Sequence, residues 1–457
     1  MQQRPNIVLI TTDQQTFSMM SCAGNAYVST PGMDSLAEDG VLFSRCYCAN
    51  PVCMPSRFGL FTGRYPSEIG VRQNVDWGMA KLPEHIVADA YPQRMKRSGY
   101  ALAYGGKEHI PYMNASALGF DYICKNKDQD KLADVCANYI SSYDDENPFF
   151  LVCSFENPHD ICLMAIGDFA EQTGIADKVT VKMFRRQREE IQRLRKPSGV
   201  ASEDAFFDDV CPPLPQNHEI APDEPGYISY LLNKRKFRKL AREQYSERDW
   251  RIHRWVYAQL TEKVDREIGK VLEAIRRKGI WDDTVILFTS DHGDMDASHK
   301  MEHKSCFYEE AGHVPFIVKG LSGRRGVQTE ALVNNGVDLA ATLLDYAGLD
   351  RPDDICGETL VSLIERGEPL ERTVVFSECE GGDMATDGRY KYVRYFRGER
   401  GEQFYDLSVN PGELYNQIAD ESCRDDVRRL SDALDQQIAK QHALFLKNRT
   451  MKKRFYR

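Results

Sequence analysis

An α/β fold, with a central mainly parallel sheet and a smaller α+β region at the C-terminal end, is predicted by three features of the 457-residue sequence. Several short runs are continuously apolar and β-branched, the mark of strands buried on both faces. These runs alternate with stretches of helical periodicity, as in sheets covered by helices on both sides. After about residue 350 the pattern changes to short strand-like segments followed by one long helical stretch.

In chain order, "NIVLITT" (residues 6–12) is the first buried strand and stops at Asp13-Gln14. "TPGMDSLAEDG" reads as a short helix, with Pro31 near its start and Gly40 at its stop. Residues 86–97 read as a second helix, closed by Gly99. "YALAYGGK" is a strand running into a glycine turn at Gly105-Gly106, and "PFFLVCSF" (148–155) is another, ending at Glu156-Asn157-Pro158-His159. Residues 169–248 are polar and irregular, with Pro212, Pro213 and Pro215 clustered, and read as a long insertion with helical pieces. Val256, Leu260, Val264, Ile268, Val271, Leu272 and Ile275 then recur at three- and four-residue steps, a helix that Gly279 ends. "TVILFTS" (284–290) leads to Asp291-His292-Gly293, and "VPFIVKG" (314–320) is a further strand. "RTVVFSE", "YKYVRYF" and "EQFYDL" look like short antiparallel strands, followed by a helix over about 422–446. The chain thus divides into a large α/β domain (1–350) and a C-terminal subdomain (351–457).

Composition narrows the function. A net charge of −10 argues against a general nucleic-acid binder, and no apolar run approaches a membrane span. The short apolar run before Asp13 is a buried strand and not a signal peptide, so the chain as written reads as cytoplasmic, or as periplasmic or secreted if a leader has been removed. The 13 cysteines are odd in number and form no CxxC pair, which reads as reduced, mostly buried thiols. Cys46 and Cys48 near Cys53 leave a metal cluster open, although the spacing fits no common zinc pattern. The basic runs at 233–242 and 447–457 read as a solvated helix face and a solvated or docked tail; the first could instead bind a sulfated polyanion.

In open α/β sheets ligands gather at the carboxyl ends of strands. The polar residues at those ends are Asp13, Lys107 with His109, His159, and Asp291 with His292. Each has a structural reading of its own, as a cap or a satisfied core histidine. Jointly, oxygen donors from Asp13, Gln14 and Asp291 and the imidazole of His292 suit a hard divalent cation that neutralises an oxyanion. Lys304 follows in the loop after the Asp291 strand, with His299 and His303 as weaker candidates. The segment "NPVCMPSRFGLFTGRYP" (50–66) holds Cys53 beside Arg57 and Arg64 but no histidine, so it reads as an anion-holding segment in which the thiol has no obvious base.

"CMPSRFGLFTGR" resembles the signature of the formylglycine-dependent (type I) sulfatases, Cys-x-Pro-Ser-Arg followed by Leu-x-Thr-Gly-Arg, at every fixed position: Cys53, Pro55, Ser56, Arg57, Leu60, Thr62, Gly63 and Arg64. "NIVLITTDQ", "GYALAYGGKEH", "VILFTSDHGD", "HKSCFYEEAGHVPFIVKG" and "YDLSVNPGELYN" are similar, in order, to further segments of that family. The resemblance implies an alkaline-phosphatase-like α/β sandwich and hydrolysis of a sulfate ester, small-molecule or oligosaccharide, with a sulfated carbohydrate preferred. It implies that a formylglycine-generating or anaerobic sulfatase-maturating enzyme oxidises Cys53 to formylglycine, whose hydrate carries two hydroxyls. It further implies one Ca²⁺ held by Asp13, Gln14, Asp291, His292 and the modified Cys53 side chain. Arg57 would support the diol, Lys107 and Lys304 would bind sulfate oxygens, His159 or Lys304 would protonate the leaving group, and His109 would take the proton that lets sulfate leave. Many family members carry a second aspartate where this chain has Gln14, which puts substrate and metal preference in question. Two alternatives stay open: a phosphonate monoester or phosphodiester hydrolase of the same superfamily, and a non-catalytic binding protein with unconverted Cys53.

Overall fold

The structure, a computed structural model, describes residues 4–454 except 75–81, 112, 176–183 and 197–198. The large sheet is built from β1 (Asn6–Asp13), β2 (Val41–Tyr47), β3 (Ala101–Gly106), β4 (Asp121–Lys125), β5 (Phe149–Pro158), β6 (Thr284–Ser290), β7 (Phe316–Lys319) and β8 (Val327–Asn334). Its order is β4-β3-β5-β1-β6-β7-β2-β8. All neighbours are parallel except β7, which runs against both β6 and β2.

β1 lies in the middle because it has nothing to show solvent: every residue after Asn6 is buried. Alternation along it feeds two cores. Ile7 and Leu9 face one layer, where α2 (Cys53–Thr62) and α5 (Asn335–Tyr346) contribute Phe58, Leu60, Phe61, Leu339 and Leu343. Val8 and Ile10 face the other, against α1 (Pro31–Glu38), α3 (Leu132–Ser142) and the stripe Val264, Ile268, Val271, Leu272 and Ile275 of α4 (Glu247–Lys278). Each such side chain contributes about 1.5–3 kcal/mol on full burial. Gly279, at φ 76°, ends α4 as the sequence predicts, and a Ser246–Asp249 capping box, found only in the structure, starts it.

Because β3, β5, β1 and β6 are parallel and in register, their carboxyl ends lie side by side: Gly106 pairs with Ser154, Asp13 with Pro158, and Thr12 with Ser290. Lys107, His159, Asp13 and Asp291 therefore arrive at one edge. The turn that aims Lys107 needs glycine, since a Cβ on Gly106 (φ 98°) would lie 2.0 Å from the Ser154 carbonyl.

The C-terminal sheet is antiparallel, ordered β12-β11-β10-β9, from β9 (Val375–Cys379), β10 (Gly382–Thr386), β11 (Tyr390–Tyr395) and β12 (Glu402–Asp406). It is covered by α6 (Arg424–Arg454), whose Leu430 and Leu434 pack on Tyr392 and Phe404. The basic run 447–457 thus continues this helix to Arg454, and its last three residues lie outside the described ones. In the polar stretch 169–248 the described residues form several short helices, among them Arg185–Leu194, Gly226–Lys234 and Lys236–Gln244, while 176–183 and 197–198 lie outside the described residues.

One expectation is corrected. Residues 86–97 are not one helix but two, Glu84–Ala88 and Tyr91–Arg97. Pro92 lacks an N–H and its ring would meet the carbonyl four residues back, so it can only begin a new helix.

Two buried glutamates join the halves of the chain. Glu68, after α2, and Glu378, on β9, are each nearly inaccessible, and each keeps one carboxylate oxygen without a hydrogen-bond partner. Burial, with the neighbouring carboxylate adding to it, pushes Glu68 up to about 8; burial pushes Glu378 up to about 7. A carboxyl raised in the folded state costs nothing below its unfolded pKa and destabilises as pH rises through the folded one. The unfolding free energy is therefore expected to fall between pH 6 and 9, with Glu68 accounting for on the order of 2–3 kcal/mol of the loss. Glu68→Gln should flatten that slope in denaturant titrations at the two pH values; an unchanged slope would refute the assignment.

Candidate active site

Asp13 and Asp291 close two adjacent strands and are fully buried. Arg57, itself 1% exposed, lies between them: Nε donates to Asp291 Oδ2 at 2.8 Å and one terminal nitrogen to Asp13 Oδ2 at 3.1 Å. Its other terminal nitrogen donates to the Lys107 carbonyl (3.0 Å) and Ser154 Oγ (2.9 Å). Arg57 thus ties three strand ends together and neutralises the carboxylates that face each other across the edge. Lys107 Nζ adds a second cation to Asp13, at 2.8 Å from Oδ2. Burial alone would raise the Asp13 carboxyl, but Lys107, His159, Arg57 and Lys304 together hold it well below the ordinary carboxylate range. Asp291 has fewer cations; burial and the charge on Asp13 push it up.

Cys53 is the first residue of α2, so its side chain sits where free N–H groups and the helix dipole favour negative charge. Lys304 Nζ lies 3.0 Å and His292 Nε2 3.1 Å from its sulfur, and Asp13 Oδ1 lies 3.9 Å away. Burial and Asp13 push the thiol up; Lys304, His292 and the nearby His109 outweigh them and bring it well below the usual thiol range. Burial together with Lys107 keeps the imidazole of His159, which neighbours Cys53, below the usual histidine range. All six residues expected to carry chemistry (Cys53, Arg57, Lys107, His109, His159 and Lys304) therefore lie at this edge.

The donor set fits a divalent cation. Asp13, Cys53, Asp291 and His292 present ligand atoms all within 4.8 Å of one another, and among the described residues this is the one such group of His, Cys, Asp and Glu. Cys46 and Cys48 are not part of it. His292 Nδ1 faces the Gly293 carbonyl at 2.9 Å, which places the ring proton there and leaves Nε2 free to ligate. Gln14, at φ 71°, turns its side chain inward: Nε2 donates to Asp294 Oδ2 at 2.6 Å, and Oε1 accepts from Lys304 at 2.6 Å. The amide that replaces a carboxylate is therefore matched to its surroundings, since it supplies a donor that an aspartate would lack.

Some expectations change. Arg64 does not hold an anion beside Cys53; it is turned away onto Asp354 (2.6 Å) and the Thr62 carbonyl (2.9 Å). His299 stacks on Tyr308 with ring centroids 4.0 Å apart, and His303 pairs with Glu302 at 2.8 Å; neither hydrogen-bonds Cys53 among the described residues. Supporting residues that sequence reading missed include Asp294, which orients Gln14, and Tyr257, whose hydroxyl donates to the Gln14 carbonyl at 2.6 Å. Ser56 Oγ donates to the Asp291 carbonyl at 2.5 Å, and Ser154 Oγ to the Lys107 carbonyl at 2.8 Å. No local spacing signals them, because their partners lie up to about 280 residues away in sequence.

No helix among the described residues is long and apolar enough to cross a membrane. The sequence profile of the sulfatase family matches residues 5–349, and that of the N-sulphoglucosamine sulphohydrolase C-terminal region matches residues 297–441. The Delta 4,5-hexuronate-2-O-sulfatase of Bacteroides thetaiotaomicron is 27% identical over 449 residues, covering 92% of this chain and 85% of that protein. The solved structure of a 2-O GAG sulfatase superposes with a TM-score of 0.80 at 25% identity, over 96% of this chain and 93% of that one. The phosphonate monoester hydrolase of Agrobacterium radiobacter has the same fold, with a TM-score of 0.72 at 22% identity over 96% of both chains. With the signature cysteine at a helix N-terminus, facing two aspartates, a histidine and two lysines, the chain belongs to the sulfatase family, the hydrolases of sulfate esters.

Proposed function

We propose that this sulfatase cleaves a sulfate ester of a carbohydrate, with Cys53 matured to formylglycine and Ca²⁺ as the metal. The observation that carries the reading is the convergence of Lys304, His292, His109 and His159 on one side chain at the N-terminus of α2. The carbohydrate assignment is supported by the activity named for the hexuronate-2-O-sulfatase that the chain resembles along nearly its whole length. Asp13, Gln14, Asp291 and His292, with the side chain at position 53, would hold the cation. When present, formylglycine would supply paired hydroxyls for attack on sulfur and for release of sulfate, and the metal would neutralise charge on the sulfate.

The residues of the chain divide the remaining work. Arg57 keeps the two metal-binding carboxylates apart and oriented. Lys107 and Lys304 offer cations to the sulfate oxygens; burial opposes the charge of Lys304, and Asp13 and Asp291 favour it. Lys304 can therefore give a proton to the leaving alkoxide from the outset. His159, whose imidazole burial and Lys107 hold below the usual histidine range, is the alternative proton donor beside position 53. His109, beside position 53, is placed to take a proton from that side chain in the second half of the cycle.

A panel of sulfated mono- and disaccharides, an aryl sulfate and an aryl phosphonate tests the proposal, alongside the intact mass of the protein to read conversion of Cys53. Sulfate esters should exceed the phosphonate in kcat/KM by about 100-fold or more, with a sulfated sugar the best substrate. Preference for the phosphonate would establish the rival hydrolase. Unconverted Cys53 after co-expression with a maturation enzyme, with no turnover, would favour a binding protein.

A further inference from the structure

The C-terminal segment "YDLSVNPGELYN" resembles a family segment, yet it supplies no residue to the reacting centre. Its Glu413 points elsewhere. Glu413 is 1% exposed and has left-handed backbone (φ 53°), a conformation that an L-residue keeps only when its surroundings fix it. Its carboxylate accepts from the Glu309 backbone N–H at 2.7 Å and lies 2.5 Å from Lys391 Nζ. Lys391, on β11, is fully buried. Its ammonium also donates to Glu309 Oε1 at 2.8 Å and to the Phe307 carbonyl at 2.7 Å. Tyr395, on the same strand, also holds the loop: its hydroxyl oxygen accepts from the Phe307 N–H at 3.1 Å. Tyr47 donates to the second oxygen of Glu309 at 3.1 Å.

These contacts converge on residues 307 and 309, three and five positions after Lys304. The backbone on either side of Lys304 is in a conformation that needs outside support: His303 and Ser305 both have left-handed φ, at 88° and 84°. On the N-terminal side His303 is tied through its carbonyl to the Met295 N–H at 2.7 Å and through its N–H to Asp294 Oδ2 at 3.1 Å. On the C-terminal side Ser305 N–H is tied to the Pro51 carbonyl at 3.1 Å, two residues before Cys53, and the C-terminal sheet holds residues 307 and 309. Lys304 is thus presented to Cys53 from between these anchors.

We propose that Lys391 is a positioning residue for Lys304: with Glu309 and Glu413 it forms a buried clamp by which the C-terminal sheet sets the active-site lysine against position 53. The clamp stands on the structure alone, whereas its catalytic consequence rests on the role given to Lys304 above. A lysine between two carboxylates suits the task. Losing it leaves buried acids unpaired, so the loop cannot stay where it is without reorganising.

A double-mutant cycle on the matured enzyme with 4-nitrophenyl sulfate tests the catalytic consequence. Lys391→Met should lower kcat/KM roughly 100-fold in the wild-type background. In the Lys304→Ala background it should cost less than about twofold, because the residue it positions is gone. Equal losses in both backgrounds would overturn the proposal, since a general loss of stability does not depend on Lys304. Lys391→Met combined with Glu309→Gln removes the pair together and serves where the single variant folds poorly. Amide hydrogen exchange reads the clamp without any turnover. Exchange in the peptide spanning 304–309 should rise by about tenfold or more while β1 and β6 stay protected. Unchanged exchange there would overturn the clamp, and an enzyme inactive on every sulfate ester with raised exchange would sink the functional reading while leaving the clamp in place.

Discussion

Cys53→Ser is expected to cut steady-state turnover by roughly 1,000-fold or more while leaving one sulfated residue in the protein. The new hydroxyl stands at the N-terminus of α2, beside Lys304 and His292, so the first half of the reaction stays available to it. Its oxygen bonds to sulfur as the bond from sulfur to the substrate oxygen breaks, its own proton passes to a neighbouring base, and the alcohol leaves protonated. The second half is closed. A formylglycine hydrate has another hydroxyl whose proton can be removed so that sulfate is expelled; a serine sulfate ester has none. The variant should show at most one turnover and a gain of one sulfuryl group on the peptide holding residue 53, read by mass spectrometry. An ordinary thiol nucleophile would behave differently: serine would be merely slower, with no trapped adduct. Sustained turnover by Cys53→Ser would refute the use of formylglycine.

The parts of the fold legible in the sequence were those whose burial is complete. β1, β5 and β6 are apolar on both faces, so no solvent-facing residue interrupts their pattern, and α4 announces itself by a stripe and a terminal glycine. The strands that escaped are mostly of another kind, although β2 ("VLFSRCY"), inside the sheet, escaped as well because Ser44 and Arg45, both partly exposed, break its apolar run. β4 ("DYICK") and β8 ("VQTEALVN") are the edge strands of the large sheet, half exposed and short of apolar residues. β10 ("GDMAT") is fully buried, yet its glycine and aspartate interrupt any apolar run; the aspartate is accommodated because Arg72 pairs with it. Within the site, residues at strand ends could be found because parallel topology gathers them. Arg57 could be placed, but its task could not: only the structure shows both aspartates on one guanidinium. Asp294 and Lys391 were out of reach for the same reason, since each acts through a partner brought close by the fold.

Chelation is expected to lower kcat/KM by about 10²–10³-fold, and calcium to restore it, while the protein stays folded. The charge balance of the site supports both halves of this expectation. Asp13 and Asp291 are two buried carboxylates, and Arg57, Lys107 and Lys304 are three buried cations within contact of them or of their neighbours. With the metal removed, the carboxylates keep their ion pairs and hydrogen bonds, so no unpaired buried charge is left to unfold the protein. The melting temperature should therefore move by only a few degrees, unlike that of a domain whose metal supplies its folding energy. What the cations cannot replace is a ligand-held positive charge at the inward oxygens Asp13 Oδ1 and Asp291 Oδ1, which lie toward Cys53 and His292. Asp291→Asn tests this without emptying the space. It keeps the shape beside Arg57 and removes one ligand charge, so metal bound per chain, measured by elemental analysis after dialysis, should fall together with activity. Full activity in chelator with no metal bound would remove the cation from the mechanism, and collapse of the fold on chelation would show that the three basic residues do not balance the site.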